Sequence, residues 1–132
     1  MPSPESLAAF VDMVVSGRHV EAIEAWYHED ASMQENQRAP REGRDALVRH
    51  EAAVMARARS VTSQCLAAPW CNGDQVVIHW RFCFTWADGS HTTIEELAPQ
   101  QWRGERIWRE RFFHDPAQLK PTPGLPGSPQ TG

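Results

Sequence analysis

Hydrophobic residues in the N-terminal half of the chain recur three and four positions apart, the spacing of amphipathic helices. This spacing predicts helices from Ser3 to Gly17, from about His19 to Tyr27, and from Gly43 to about Arg59. Ser3 suits an N-cap, and Gly17 suits a left-handed helix end. The inward positions of the three helices are Leu7, Phe10, Val11, Val14, Val15, Val20, Ile23, Trp26 (or Tyr27), Leu47, Glu51, Val54, Met55 and Ala58.

Alternating hydrophobic and polar positions take over in the second half of the chain and predict long strands. The strands run over about Val61–Asn72, Gln75–Trp86, His91–Trp102 and Arg106–His114, and a short strand over Ala31–Gln37 precedes the third helix. Asn72-Gly73-Asp74 and Ala87-Asp88-Gly89 are typical hairpin turns. This order of elements predicts an α+β domain, in which a strongly curved sheet wraps around the long third helix and both are buried.

The last two strands form a hairpin around an Arg-Gly-Glu-Arg turn, and their faces mix bulky apolar residues with charged ones. Regular alternation places Ile107, Arg109, Arg111 and Phe113 on one face of the last strand. A buried charge needs a partner, so we expect Arg109 and Arg111 to line a cavity or a wet groove. Across the hairpin, the face shared by Ile94, Glu96, Ala98, Gln100 and Trp102 is expected to line the same space.

Composition narrows the class of protein. The chain has 132 residues, which indicates one domain. Its net charge of −4 shows no excess of basic residues of the kind that binds nucleic acid. Apolar runs stay short of the roughly 20 residues that cross a bilayer, and the N-terminus has no basic region of a signal peptide. The odd number of cysteines, at 65, 71 and 83, indicates a reduced, cytoplasmic protein without a disulfide framework.

The composition changes after residue 119, where Lys120 begins the segment KPTPGLPGSPQTG. This segment is too poor in apolar residues to form a core, so it is predicted to be a flexible tail with some polyproline character. The domain is therefore predicted to span residues 1–119 and the tail residues 120–132.

Several segments together resemble the nuclear transport factor 2-like superfamily over about Leu7 to Leu119. The resemblance rests on the order and spacing of WYHEDASMQE, REGRDALVRH and GERIWRERFFHDP. It implies a cystatin-like cone: a half-barrel of mixed, mainly antiparallel sheet wrapped around a long helix, with three N-terminal helices. Members include ketosteroid isomerases, SnoaL-like polyketide cyclases, limonene epoxide hydrolases and dehydratases. They hold a pocket between sheet and helices and usually dimerise through the sheet.

The resemblance also assigns candidate chemistry. Glu35 aligns with the aspartate base of ketosteroid isomerase, whereas the isomerase tyrosine aligns with Phe10 and its second aspartate with a position near Ala98, two residues from Glu96. The isomerase oxyanion hole is therefore not reproduced. Arg109 or Arg111 is the alternative anion stabiliser; in the other interpretation, which the residues favour slightly, the two arginines only pair with Glu96, Glu35 or Glu110. The expected ligand-binding residues are Phe10, His50, Glu51, Trp80, Phe82, Phe84, Glu96, Gln100, Trp102 and Phe113.

Two functions stay open at this point. The first is a cofactor-free isomerase, cyclase, dehydratase or hydrolase acting on an apolar carbonyl or carboxylate compound; the second is a non-catalytic ligand-binding or interaction module. The histidines lack metal-ligand spacing, so no metal site is predicted. A homodimer is expected through an outer sheet face that carries Trp108, Phe112, His79 and Arg81.

Overall fold

A computed structural model of the chain describes residues 1–124. The helices are α1 (Pro4–Val15), α2 (His19–Trp26) and α3 (Arg44–Arg57), and a short 3₁₀ helix spans Pro116–Leu119. The strands are β1 (Tyr27–Glu35), β2 (Arg41–Glu42), β3 (Ala58–Cys65), β4 (Trp70–Asn72), β5 (Gln75–Trp86), β6 (His91–Arg103) and β7 (Arg106–Phe112).

The strands form one sheet in the order β2-β1-β7-β6-β5-β3, with β4 paired to β5. The β1–β7 pair is parallel and the other pairs are antiparallel. The helices pack against one side of this sheet, and the shared core includes Phe10, Ile23, Leu47, Ile78 and Trp102. The predicted α+β cone, with a curved, mainly antiparallel sheet around a long helix, is thereby confirmed.

Local signals in the sequence explain most element ends. Ser3 caps α1, since its hydroxyl accepts a hydrogen bond from the backbone N–H of Ser6 at 3.1 Å. Gly17 ends the same helix with a φ of 90°, a conformation that side chains disfavour. The strand predicted over Val61–Asn72 is instead two strands, β3 and β4, and the interruption contains Pro69, which has no N–H for a ladder bond.

A β-bulge at Trp108 changes which side of the sheet the end of β7 faces. Gln101 pairs with Arg109 but the next residue, Trp102, pairs with Ile107, so β7 has one residue more than its neighbour. Ile107 is buried before the bulge and Glu110 is buried after it. Arg109 and Arg111 line a groove, as expected, but it does not lie between the sheet and the helices, because one extra residue reverses the alternation of every position that follows.

The start of the predicted tail is attached to the sheet. Thr122 exchanges two backbone hydrogen bonds with His91, of 2.7 and 2.9 Å. The Gln118 side chain accepts a hydrogen bond of 2.6 Å from the backbone N–H of Glu95 on β6. The rest of the predicted tail, residues 125–132, lies outside the described residues.

Cys65, Cys71 and Cys83 are free thiols. Across residues 1–124, no helix combines the length and the apolar character that a membrane crossing would require.

Candidate functional site: an acidic, aromatic cavity

A cavity of about 970 Å³ lies between the helices and the inner face of the sheet. Its walls are mainly apolar, and its aromatic members are Phe10, Tyr27, Trp80, Phe82, Phe84, Trp86 and Phe112. Strands β5 and β7 supply most of these rings, because alternate residues of each strand point to the helices. A cavity of this size and character can hold a drug-sized molecule.

Four glutamates from four different elements line the same cavity. They are Glu35 at the end of β1, Glu51 in α3, Glu96 in β6 and Glu110 in β7. Glu96 and Glu110 are only 8% and 4% exposed. Carboxyl groups at this depth require hydrogen-bond partners or a proton, because an isolated charge is costly to bury.

Glu110 is held by two hydrogen-bond donors. The Tyr27 hydroxyl donates to Oε1 of Glu110, and Nε2 of Gln100 donates to Oε2 at 2.6 Å. The indole N–H of Trp102 donates to Oε1 of Gln100 at 2.9 Å, which fixes the orientation of that amide. Burial raises the pKa of Glu110 to about 7, while the Gln100 and Tyr27 hydrogen bonds oppose that rise by favouring the carboxylate.

Glu96 has a different environment. Its Oε2 atom has no hydrogen-bond partner within residues 1–124. Burial raises the pKa of Glu96 to about 8, and the charges of Glu110, Glu35 and Glu51 add to the rise. At neutral pH the Glu96 carboxyl is therefore mostly protonated and can donate a hydrogen bond to a molecule in the cavity.

A histidine forms the wall beside α3. Nε2 of His19 is 2.8 Å from the Ser63 hydroxyl, and Nδ1 is 3.7 Å from Oε1 of Glu51. The His19 ring also packs edge-on against Phe82, with ring centroids 5.4 Å apart. Both ring nitrogens therefore face protein groups, which fixes the imidazole as part of the wall.

Most of the predicted site residues line this cavity. They are Glu35, Phe10, His50, Glu51, Trp80, Phe82, Phe84 and Glu96. Gln100 and Trp102 were predicted to contact a ligand, but they lie behind Glu110 and support it through hydrogen bonds.

The structure places three predicted residues outside the cavity. Phe113 is 37% exposed on the outer face, where the guanidinium of Arg111 lies 4.6 Å from its ring. Arg109 stacks on Trp108 at 4.1 Å, and both arginines line a separate outer cleft of about 440 Å³. The bulge at Trp108 explains all three placements, because every side chain after the extra residue points to the opposite face of the sheet. Phe112, expected on the outer face, lines the cavity for the same reason.

Sequence reasoning misses Glu110 as a site residue, and it offers Tyr27 only as the alternative to Trp26 at an inward position. The alternation of β7 placed Glu110 with Trp108 on the outer face, and only knowledge of the bulge would have reversed that placement. Tyr27 was assigned to the end of a helix, but it begins β1 and is buried. The hydroxyl of a buried tyrosine normally forms a hydrogen bond, and the Tyr27 hydroxyl forms one with Glu110.

The cone of three helices against one curved, mainly antiparallel sheet, with a cavity between them, defines a nuclear transport factor 2-like fold. The profile of the SnoaL-like domain family matches residues 7–110, so the chain belongs to the SnoaL-like domain family. A comparison with curated protein sequences gives no match.

Solved structures agree on the fold at low sequence identity. A protein from Mesorhizobium loti assigned as a SnoaL-like polyketide cyclase superimposes with a TM-score of 0.70 at 22% identity, covering 85% of this chain and 98% of its own. A hypothetical ketosteroid isomerase-like protein from Catenulispora acidiphila, in complex with trimethylamine, gives 0.72 at 17% identity, with 89% and 90% covered. An epoxide hydrolase of limonene epoxide hydrolase type from M. tuberculosis gives 0.71 at 10% identity, with 87% and 84% covered.

Proposed function

We propose that this protein is a cofactor-free acid–base enzyme that enolises an apolar carbonyl compound inside the cavity. The observation that carries the proposal is the unpartnered, buried carboxyl of Glu96 in the cavity wall. A protonated carboxylic acid in an apolar site is a strong hydrogen-bond donor to an oxygen on which charge develops.

Two carboxyl groups would carry out the two proton transfers of the reaction. Glu35 would remove a proton from the carbon next to the carbonyl, and Glu96 would donate its proton to the carbonyl oxygen. The product of this step is a neutral enol, with Glu35 protonated and Glu96 ionised. Return of the protons to a different carbon gives an isomer, and attack of the enol carbon on a second group within the molecule gives a ring.

Glu35 suits the role of base by its position. It lines the cavity at the end of β1, and no arginine or lysine lies within 4.0 Å of its carboxylate in residues 1–124. A carboxylate held in an ion pair would be a weak base, so the absence of such a pair among the described side chains favours proton abstraction.

Deuterium exchange at carbon tests this proposal without knowledge of the final product. Apolar ketones such as 2-tetralone would be incubated with the protein in D₂O, and deuterium at the α-carbon would be followed by NMR. We expect catalysed exchange in the wild type. Glu35→Gln should abolish it, and Glu96→Gln should slow it by about 10² to 10³, the usual contribution of one acid or one oxyanion donor.

A matched control comes from Glu29→Gln, which removes one charge from an exposed position of β1. This variant should keep the wild-type rate of exchange. Full activity in Glu35→Gln would refute the assigned base, and equal losses in all three variants would indicate a general effect of charge on the protein.

A non-catalytic binding module is the second candidate, and the Tyr27 hydroxyl favours it. That hydroxyl is bonded to Glu110, so it is not free to polarise a ligand as the isomerase tyrosine does. Tight binding of 2-tetralone with no exchange above the buffer rate would support the module instead of the enzyme.

A further inference from the structure

Negative charge in the cavity is poorly balanced by the protein itself. Glu35, Glu51, Glu96 and Glu110 line it, and among residues 1–124 the one basic side chain within 4.0 Å of any of their carboxyl groups is His19, 3.7 Å from Glu51. Arg41 and Arg57 also border the cavity, but neither forms an ion pair with these glutamates. A cationic group on a ligand would pair with these carboxylates and neutralise their charge.

Glu51 and Glu110 are the pair best placed to hold such a group. Both residues line the cavity, Glu51 from α3 and Glu110 from β7, so their side chains border a common space. Tyr27 and Gln100 donate hydrogen bonds to Glu110 and favour its ionised form, whereas Oε2 of Glu96 has no donor among residues 1–124. Each carboxylate oxygen of Glu110 accepts one hydrogen bond from these donors and keeps a lone pair for another.

The orphaned carboxyl of Glu96 is an independent sign that a polar ligand group completes the site. Its Oε2 atom lacks a partner although the residue is only 8% exposed. An unsatisfied buried polar atom destabilises the folded protein, and a ligand that supplies a hydrogen-bond partner recovers that loss.

The aromatic walls suit an ammonium group as well as an apolar frame. Aromatic faces attract cations within about 6 Å of the ring centroid. The guanidinium of Arg57 already lies 5.8 Å from the Trp86 ring, and Trp80 stacks on Phe82, whereas Phe10 and Tyr27 meet edge to face beside Glu110. The end of the cavity near Tyr27 therefore combines aromatic rings with carboxylates, the chemistry that recognises organic ammonium ions.

We propose that the substrate carries a protonated amine on its apolar frame, and that Glu51 and Glu110 hold the ammonium group. This inference rests on the proposed function, in which Glu35 and Glu96 act on the carbonyl of the same molecule. It excludes carboxylates, whose negative charge would lie beside the carboxylates of Glu51 and Glu110.

Three probes that share one ring system and differ in charge test the inference. They are 2-naphthylmethylamine as the cation, 2-naphthylmethanol as the neutral form and 2-naphthoate as the anion, each titrated into the protein by calorimetry at neutral pH. We expect the amine to bind at least about tenfold more tightly than the alcohol, which corresponds to one charge-assisted contact. The naphthoate should bind more weakly than the alcohol.

Variants then locate the ammonium group. Glu51→Gln and Glu110→Gln should each remove most of the preference for the amine and leave the affinity for the alcohol unchanged. Glu51 is partly exposed, so its variant keeps the test valid if Glu110→Gln fails to fold. Glu29→Gln, with the same loss of net charge outside the cavity, should keep the full preference.

The outcomes separate this inference from the proposed enzyme. An alcohol or a naphthoate that binds as tightly as the amine, absence of binding by all three probes, or a preference that survives in both cavity variants overturns the ammonium site. Deuterium exchange in 2-tetralone together with no amine preference would overturn the ammonium site alone. Amine preference without exchange in any ketone would overturn the enzyme alone.

Discussion

At the scale of single residues, the protonation of Glu96 is the property from which the proposed chemistry follows. Its carboxyl is buried, lacks a partner at Oε2 and is surrounded by three other carboxyl groups. Glu110, at similar depth, receives two hydrogen bonds that favour its ionised form. Burial raises the pKa of both groups, to about 8 for Glu96 and about 7 for Glu110, so Glu96 is the more strongly protonated of the two at neutral pH.

The raised pKa of Glu96 predicts how stability depends on pH. The folded-state pKa of about 8 lies above the ordinary carboxyl value, so between the two the native state binds more protons than the unfolded state. The free energy of unfolding therefore falls as pH rises through this window. Glu96→Gln removes the effect. The free energy of unfolding of the variant minus that of the wild type should therefore be larger at pH 9 than at pH 4.5, by on the order of a few kcal/mol.

Urea denaturation at the two pH values measures this gain, and Glu95→Gln is the neighbouring control. The hydrogen bonds from His79 and Arg81 lower the pKa of the exposed Glu95, so its removal should give no gain at high pH. Equal behaviour of the two variants would mean that Glu96 is already ionised in the folded protein at neutral pH.

At the scale of secondary-structure elements, the periodicity of the sequence predicts the helices and hairpins but not the bulge. The stripe ending at Gly17 and the turn residues Gly73 and Gly89 mark real element ends, because local backbone preferences decide them. The extra residue at Trp108 is set by pairing with β6 and β1, which local patterns do not contain. Glu35 could be placed from sequence, whereas Glu110, Arg109 and Arg111 could not.

The attachment of the C-terminal segment predicts the effect of truncation. A chain that ends after Leu119 loses the two backbone hydrogen bonds between Thr122 and His91, and the contribution of Pro121 to the cavity wall. Each hydrogen bond contributes about 0.5–1.5 kcal/mol, so the loss of both should lower the melting temperature by roughly 4–12 °C. A chain that ends after Gly124 keeps these contacts and should melt within about a degree of the full chain.

Differential scanning calorimetry of the two truncated chains distinguishes these cases. Identical melting temperatures for both would mean that the pairing of Thr122 contributes nothing to stability.

At the scale of the whole molecule, we predict that the outer sheet face pairs two copies in a homodimer. Leu97 and Phe113 are 43% and 37% exposed, and their backbones are hydrogen-bonded to each other, so they form one apolar patch. The guanidinium of Arg111 stacks on the Phe113 ring, and at the other end of β7 those of Arg103 and Arg109 stack on Trp108. An apolar and aromatic patch of this kind is typical of protein interfaces.

Light scattering at micromolar concentration should report a dimer for the wild type, and Leu97→Glu should shift it to a monomer with little loss of folding stability. Val15→Glu provides the control, because Val15 is also 43% exposed but lies on α1. A monomeric wild type, or an equal effect of both substitutions, would remove the outer face as the interface.

The most direct test of the whole account is the pH titration of the Glu96 side-chain carboxyl, followed by its ¹³C NMR signal. We predict a midpoint of about 8 in the wild-type protein, and a lower midpoint in Glu110→Gln, because the charge of Glu110 helps to keep Glu96 protonated. A midpoint near the ordinary glutamate value of about 4.3 would contradict the account, since Glu96 would then be a carboxylate at neutral pH and could not donate a proton to a substrate.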